Sequence, residues 1–291
     1  MRYALVLAAV AGCGDSGTAT GGGSPSGCIV CQGPQTLSAP TNPEVTEVSG
    51  LVASASQTGV YYVHNDAGDD ARFFALGEDG SDHGTFVLDG RAAVDMEDAA
   101  SGPCADPADA CLYLGDIGDN DKDRASYTIF RVAEPSSTAA GVYSVSAEAL
   151  PFRYPDGSHD AEAMFVDPAS GAIVVITKDE PAVAYVYRPP LRVDQTVELE
   201  SIGAIKSGDQ SVVTGASIGR SGEGILLRTK NDVWHYPLGS GGFEQALTSS
   251  PCELPSPGEA NGEAVAWSAD GTGFRTLGEG DGARLIKVEC N

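Results

Sequence analysis

His159-Asp-Ala-Glu-Ala-Met-Phe-Val-Asp-Pro-Ala-Ser-Gly-Ala-Ile-Val-Val-Ile-Thr-Lys-Asp-Glu180 reads as a short strand, a tight turn at 167–171 and a second apolar strand ending in charge. Related pieces recur along the chain: Val48-Ser-Gly-Leu51, Asp95-Met-Glu-Asp-Ala-Ala100, Val213-Thr-Gly-Ala-Ser217 and Gly262-Glu-Ala-Val-Ala266. Each is followed by a β-rich run. Superposing the copies puts Ser49, Glu97, Glu162, Thr214 and Glu263 in one column. A second column falls sixteen residues later, at Asn65, Lys178, Lys230 and Glu279, with a cysteine-bearing insertion displacing the remaining member to Asp116. Self-similarity at a period of about fifty residues marks an array or a propeller.

One repeat unit cannot bury its apolar face alone, so the copies stack into one domain. The 37 glycines and 17 prolines suit short strands joined by tight turns, and no long stretch keeps a helical period. Units fall at 45–90, 91–157, 158–206, 207–255 and from 256 onward, each with about four strands. The second unit includes one long strand over 142–154, and the last unit lacks its outer strand. Residues 35–44 supply the missing strand, which closes the ring and removes two exposed edges. The expectation is an all-β fold: a single β-propeller over 35–291, with five blades of four antiparallel strands. Six blades is the alternative, because the second unit is the longest.

In such a blade the innermost strand starts on the face where the second strand ends. Both columns therefore converge around the central channel. Glu97, Glu162 and Glu263 face a shared axis, with Asp95, Asp116 and Asp160 beside them. Crowded carboxylates repel unless a cation sits among them. Hard oxygen ligands without a cysteine or histidine cluster select Ca2+ or Mg2+ over zinc. Around that ring lie His64, Asn65, Asp66, Lys178, Arg228, Lys230 and Glu279 as candidate ligand contacts. There is no G-x-S-x-G elbow. His64 and His159 are the acid–base candidates.

Residues 1–12 carry one positive charge, a short apolar core and small residues, which describes a secretory signal. The apolar run is too short to span a bilayer. Val10-Ala-Gly-Cys13 resembles a lipobox, whose cysteine is acylated, and residues 13–34 read as a Gly/Ser tether. The membrane contact expected is thus a lipid anchor at Cys13, and the location is the cell envelope. Six cysteines remain, an even set for disulfides in an exported protein. Cys104 and Cys111 flank a short polar loop and are expected to pair. Ring closure brings Cys28 or Cys31 near Cys290. A formal charge of −24 excludes nucleic acid as a partner and favours cations. The protein is expected to act as a monomer on an envelope protein or a small molecule.

Asp95-Met-Glu-Asp-Ala-Ala100, Leu114-Gly-Asp-Ile-Gly-Asp-Asn120, Phe130-Arg-Val-Ala-Glu-Pro135 and Asp160-Ala-Glu-Ala-Met164 resemble segments of exported bacterial β-propeller proteins. The pattern at 162–171 is also similar to units of phytase-like propellers, and the whole is distantly similar to TolB-like ones. The phytase-like resemblance implies calcium and basic rim residues acting on phosphate esters, carried here by Glu162, Lys178 and Lys230. The phytase DADDPA signature is absent from this sequence. A binding or scaffolding module leads, and a metal-dependent hydrolase of phosphate or carboxylic esters is the alternative.

Overall fold

The computed structural model describes residues 27–291 apart from 137, 209, 210, 260 and 281. The expected signal peptide and Cys13 lie outside the described residues. β1 (Gln35–Thr36) is followed by a first blade of β2 (Val48–Ala53), β3 (Val60–Asn65), β4 (Arg72–Gly77) and β5 (Asp82–Leu88). The second blade is β6 (Met96–Pro103), β7 (Ala110–Asp116) and β8 (Tyr127–Ala133), then β9 (Val142–Val145) and β10 (Glu148–Arg153). The third has β11 (Ala161–Val166), β12 (Ile173–Thr177), β13 (Val183–Tyr187), β14 (Val197–Glu198) and β15 (Glu200–Ala204). The fourth has β16 (Val213–Ile218), β17 (Ile225–Thr229), β18 (Val233–Tyr236), a one-turn α1 (Gly242–Leu247) and β19 (Cys252–Glu253). The fifth has β20 (Gly262–Trp267), β21 (Gly273–Gly278) and β22 (Ile286–Glu289), completed by β1.

The innermost strands β2, β6, β11, β16 and β20 pack each against the next, and β20 returns to β2. The fold is a five-bladed β-propeller, not a six-bladed one. Blade faces are buried on both sides, so their strands read as continuous apolar runs instead of alternating ones. Ala163, Phe165, Val174 and Ile176 pack toward the fourth blade, while Met164, Val166, Ile173 and Val175 pack toward the second. An apolar cluster of this kind fills each of the five blade interfaces.

Two details depart from the sequence reading. The strand expected over 142–154 is two strands. β9 leaves its own unit to run parallel along β5, and β10 then pairs with β8. β14 repeats the move, running parallel along β10 of the preceding blade. Residues 28–34, read from composition as tether, are tied into the domain. Cys31 bridges Cys290, the Gln32 amide donates to the Glu289 carbonyl, and disulfides join Cys28 to Cys252 and Cys31 to Cys290. The expected Cys104–Cys111 bond is present. Three disulfides among the described residues fit an oxidising, exported environment. No helix among them is long and apolar enough to cross a membrane.

Candidate functional site

Each innermost strand carries a bulge opposite the end of the second strand. The register shifts between Val48 and Gly50, Met96 and Asp98, Ala161 and Ala163, Val213 and Gly215, and Gly262 and Ala264. The extra residues are therefore Ser49, Glu97, Glu162, Thr214 and Glu263, the first column of the repeat. A bulge re-aims the extra side chain. Here it turns four of the five, Ser49, Glu97, Glu162 and Glu263, toward the axis at one end of the channel.

A cavity of 180 Å³ opens there, lined by Ser49, Glu97, Glu162 and Glu263 from the first column and by Lys178, Lys230 and Glu279 from the second. Asp66, Asn120 and Val48 complete the wall. Thr214 turns away, its hydroxyl donating to the carbonyls of Gly262 (2.9 Å) and Glu263 (3.1 Å). Asp66 stands where Asn65 was expected. Its amide donates to the Glu47 carbonyl, as the Lys178 amide does to Asp160 and the Glu279 amide to Asn261. Unit one is one residue longer between the two columns, which the fixed spacing of sixteen could not register. Asn65 is used locally, holding Thr46, Glu44 and Asp69.

Burial dominates the electrostatics of the cavity. Glu97 is pushed up to about 10, first by burial and then by Glu162, Asp66 and Asp95. Burial raises Glu263 to about 7 with help from Glu162, and raises Asp95 to about 6 with help from Asp66 and Asp160. Glu162 is also raised by burial, although Lys178 opposes this through a short ion pair. Oxygens of Asp66, Asp95 and Glu97 lie within 4.8 Å of one another, as do those of Glu97, Asp160 and Glu162. Glu263 belongs to neither group, so the three glutamates of the ring do not form one ligand set. Asp116 is also elsewhere: it accepts from the Asp95 amide (2.9 Å) and pairs with Arg124 (3.0 Å).

Three other candidates do not reach the cavity. His64 is fully buried, its ring lying over Gly50, where a Cβ would sit 2.2 Å from Nε2. Arg228 is also fully buried, pairs with Glu259 at 3.0 Å, and fills the room left by Gly262. The glycines carry the signal that was missed: Gly50 stands opposite His64 in the ladder and Gly215 opposite Arg228. His159 sits off the channel, held by Asp179 (2.8 Å) and Asp156 (3.1 Å).

Asp98, the residue after the second bulge, was not anticipated. Its repeat mates are Gly50, Ala163, Gly215 and Ala264. With no exposure, it accepts from its own blade at Ala99 (2.8 Å), from blade three at Met164 (2.7 Å) and from blade four at Ala216 (3.0 Å). It ties three blades together beside the axis. At the other end Arg220 reaches across to the Ala53 carbonyl (2.7 Å) and the Ser101 hydroxyl (3.1 Å).

No protein-family model and no curated protein matches the chain. Solved structures that resemble it include U3-55K, with a TM-score of 0.44, 10% identity, and coverage of 88% of this chain and 98% of that one. The RRP9 WD40 repeats give a TM-score of 0.45 and 9% identity, covering 91% of this chain and 100% of the other. At such identities the likeness concerns fold alone.

Proposed function

We propose that this propeller is an exported binding module whose central cavity takes one divalent cation, calcium or magnesium, on Asp66, Asp95 and Glu97. The observation carrying this reading is Asp95 Oδ1, a buried carboxylate oxygen with no hydrogen-bond partner among the described residues. Asp66 and Glu97 present oxygens beside it. A Cβ at Gly118 would stand 2.4 Å from both Asp95 Oδ2 and Glu97 Oε1, so both carboxylates turn into the space that glycine leaves. An all-oxygen, carboxylate-rich set suits a hard cation. When bound, the ion supplies a concentrated positive charge in a chain of formal charge −24, a point at which an anionic group of a ligand can be held. Lys178 lines the same cavity but is held by Glu162, which leaves Lys230 to orient such a group. In this proposal Cys13 carries a lipid that keeps the domain at an envelope membrane.

The test is thermal melting of the full chain in calcium and in chelator. An ion at a hundred times its dissociation constant stabilises by about 2.7 kcal/mol. That corresponds to a shift of roughly 5–11 °C at 2–4 °C per kcal/mol. Asp95→Asn with Glu97→Gln should abolish the shift. Identical melting of the wild type in both media would remove the ion from this reading. EDTA-sensitive turnover of a generic phosphoester or ester, lost in Glu97→Gln, would replace the binding module with a hydrolase.

A further inference from the structure

Blades two and three carry the same acidic pair at the same place. Asp95 and Glu97 stand two residues before and at the second bulge, and Asp160 and Glu162 stand likewise at the third. What faces each pair differs. In blade three the Lys178 amide donates to the Asp160 carbonyl, and the Lys178 ammonium pairs with Glu162 and lies 3.9 Å from Asp160 Oδ2. In blade two the amide that makes the equivalent bond, to the Asp95 carbonyl, belongs to Gly118. Blade three therefore brings its own cation onto its acidic pair, whereas the cation of blade two, Arg124, is taken by Asp116 and the Gly118 carbonyl. The two acidic groups share Glu97, which makes them neighbouring seats for positive charge.

Resting on the ion proposed at Asp66, Asp95 and Glu97, we infer that Lys178 is a tethered cation standing in for a second divalent ion. Its ammonium occupies the seat formed by Glu97, Asp160 and Glu162 and limits the cavity to a single ion. Two divalent ions bridged by Glu97 would otherwise face each other across one carboxylate, the arrangement of two-metal sites with ions about 3.5–4 Å apart. A fixed single charge in the second seat keeps the first ion's site intact while withholding the paired-ion geometry. Lys178 thereby decides whether the cavity is a one-ion or a two-ion centre.

The experiment measures calcium stoichiometry on the chelator-stripped full chain by equilibrium dialysis, for the wild type, Lys178→Met and Lys178→Arg. The expected result is one ion for the wild type and for Lys178→Arg, and two for Lys178→Met. One ion in all three overturns the role of Lys178 and leaves the single-ion reading standing. No ion in the wild type overturns both. A second measurement uses the wild type alone, so it does not depend on the folding of a variant. Manganese(II) titrated to saturation should give only the spectrum of isolated ions in electron paramagnetic resonance. A spin-coupled pair in the wild type would show that Lys178 does not hold the second seat, and would overturn the inference.

Discussion

Cys28–Cys252 and Cys31–Cys290 close nearly the same loop, with sequence separations of 224 and 259. Taken alone, either bond lowers the entropy of the unfolded chain by an amount equivalent to about 5 kcal/mol. With the other in place, each closes a much smaller loop. That loop is the three residues from Cys28 to Cys31 and the thirty-eight from Cys252 to Cys290. Its closure is equivalent to about 4 kcal/mol. Replacing Cys28 and Cys252 by serine should therefore cost about 4 kcal/mol, and replacing all four cysteines about 9 kcal/mol. The second loss is the larger one, because no cross-link then remains between the chain ends. At 2–4 °C per kcal/mol the first variant should melt roughly 8–16 °C below the wild type. The quadruple variant loses most of a typical stability of 5–15 kcal/mol and should be largely unfolded at 37 °C. Calorimetry of the full chain without reductant, supported by guanidinium titration, measures both. A quadruple variant that melts no lower than either pair variant would refute the reasoning.

In metal-free protein Glu263 and Glu97 hold protons more tightly folded than unfolded, so their contribution falls as pH rises. The burial of neutral His64 and His235 works in the opposite direction around 6.5. The contribution of the two glutamates is complete below the ordinary carboxyl value of 4.5 and is lost toward about 7 for Glu263 and about 10 for Glu97. Between pH 5 and pH 8 in chelator the wild type should lose melting temperature relative to Glu97→Gln with Glu263→Gln, in which the histidines are unchanged, and a relative gain would contradict this. Asp98→Ala leaves the Met164 and Ala216 amides unpaired at the axis, which at about 1–3 kcal/mol each should destabilise by roughly 2–6 kcal/mol. Denaturant midpoints check it, and a change under 1 kcal/mol would mean water replaces the carboxylate. Cys13→Ser should move the protein from the membrane to a soluble fraction or leave it unprocessed; a cleaved, membrane-bound variant would dismiss the lipid anchor.

The ring was legible because the bulges recur. A repeated Val-Ser-Gly, Met-Glu-Asp or Gly-Glu-Ala marks the same local kink, and the column at Ser49, Glu97, Glu162, Thr214 and Glu263 is the set of bulged residues. The second column was legible only where the intervening turn kept its length: in unit one the fixed spacing falls on Asn65, while its neighbour Asp66, a candidate ligand contact, lines the cavity. Depth was not legible. Arg228 precedes Lys230 by two residues, about 6–7 Å along a strand, which is enough to take it from the rim into the blade interface. Nor does a sequence period reveal where a strand crosses to its neighbour, as β9 does. That choice is made by the open edge of β5 in space.

Joining β1 to β22 also orders events in time. The innermost ring cannot close until β20 has met β2, and the last blade has no outer edge until the two ends of the chain meet. Pairings of such sequence separation are slow to form. Cys28 and Cys31 likewise cannot form their native bonds until Cys252 and Cys290 are in place. Blades one and four each keep one apolar face open until the fifth is built, so the two clusters that border it are completed last.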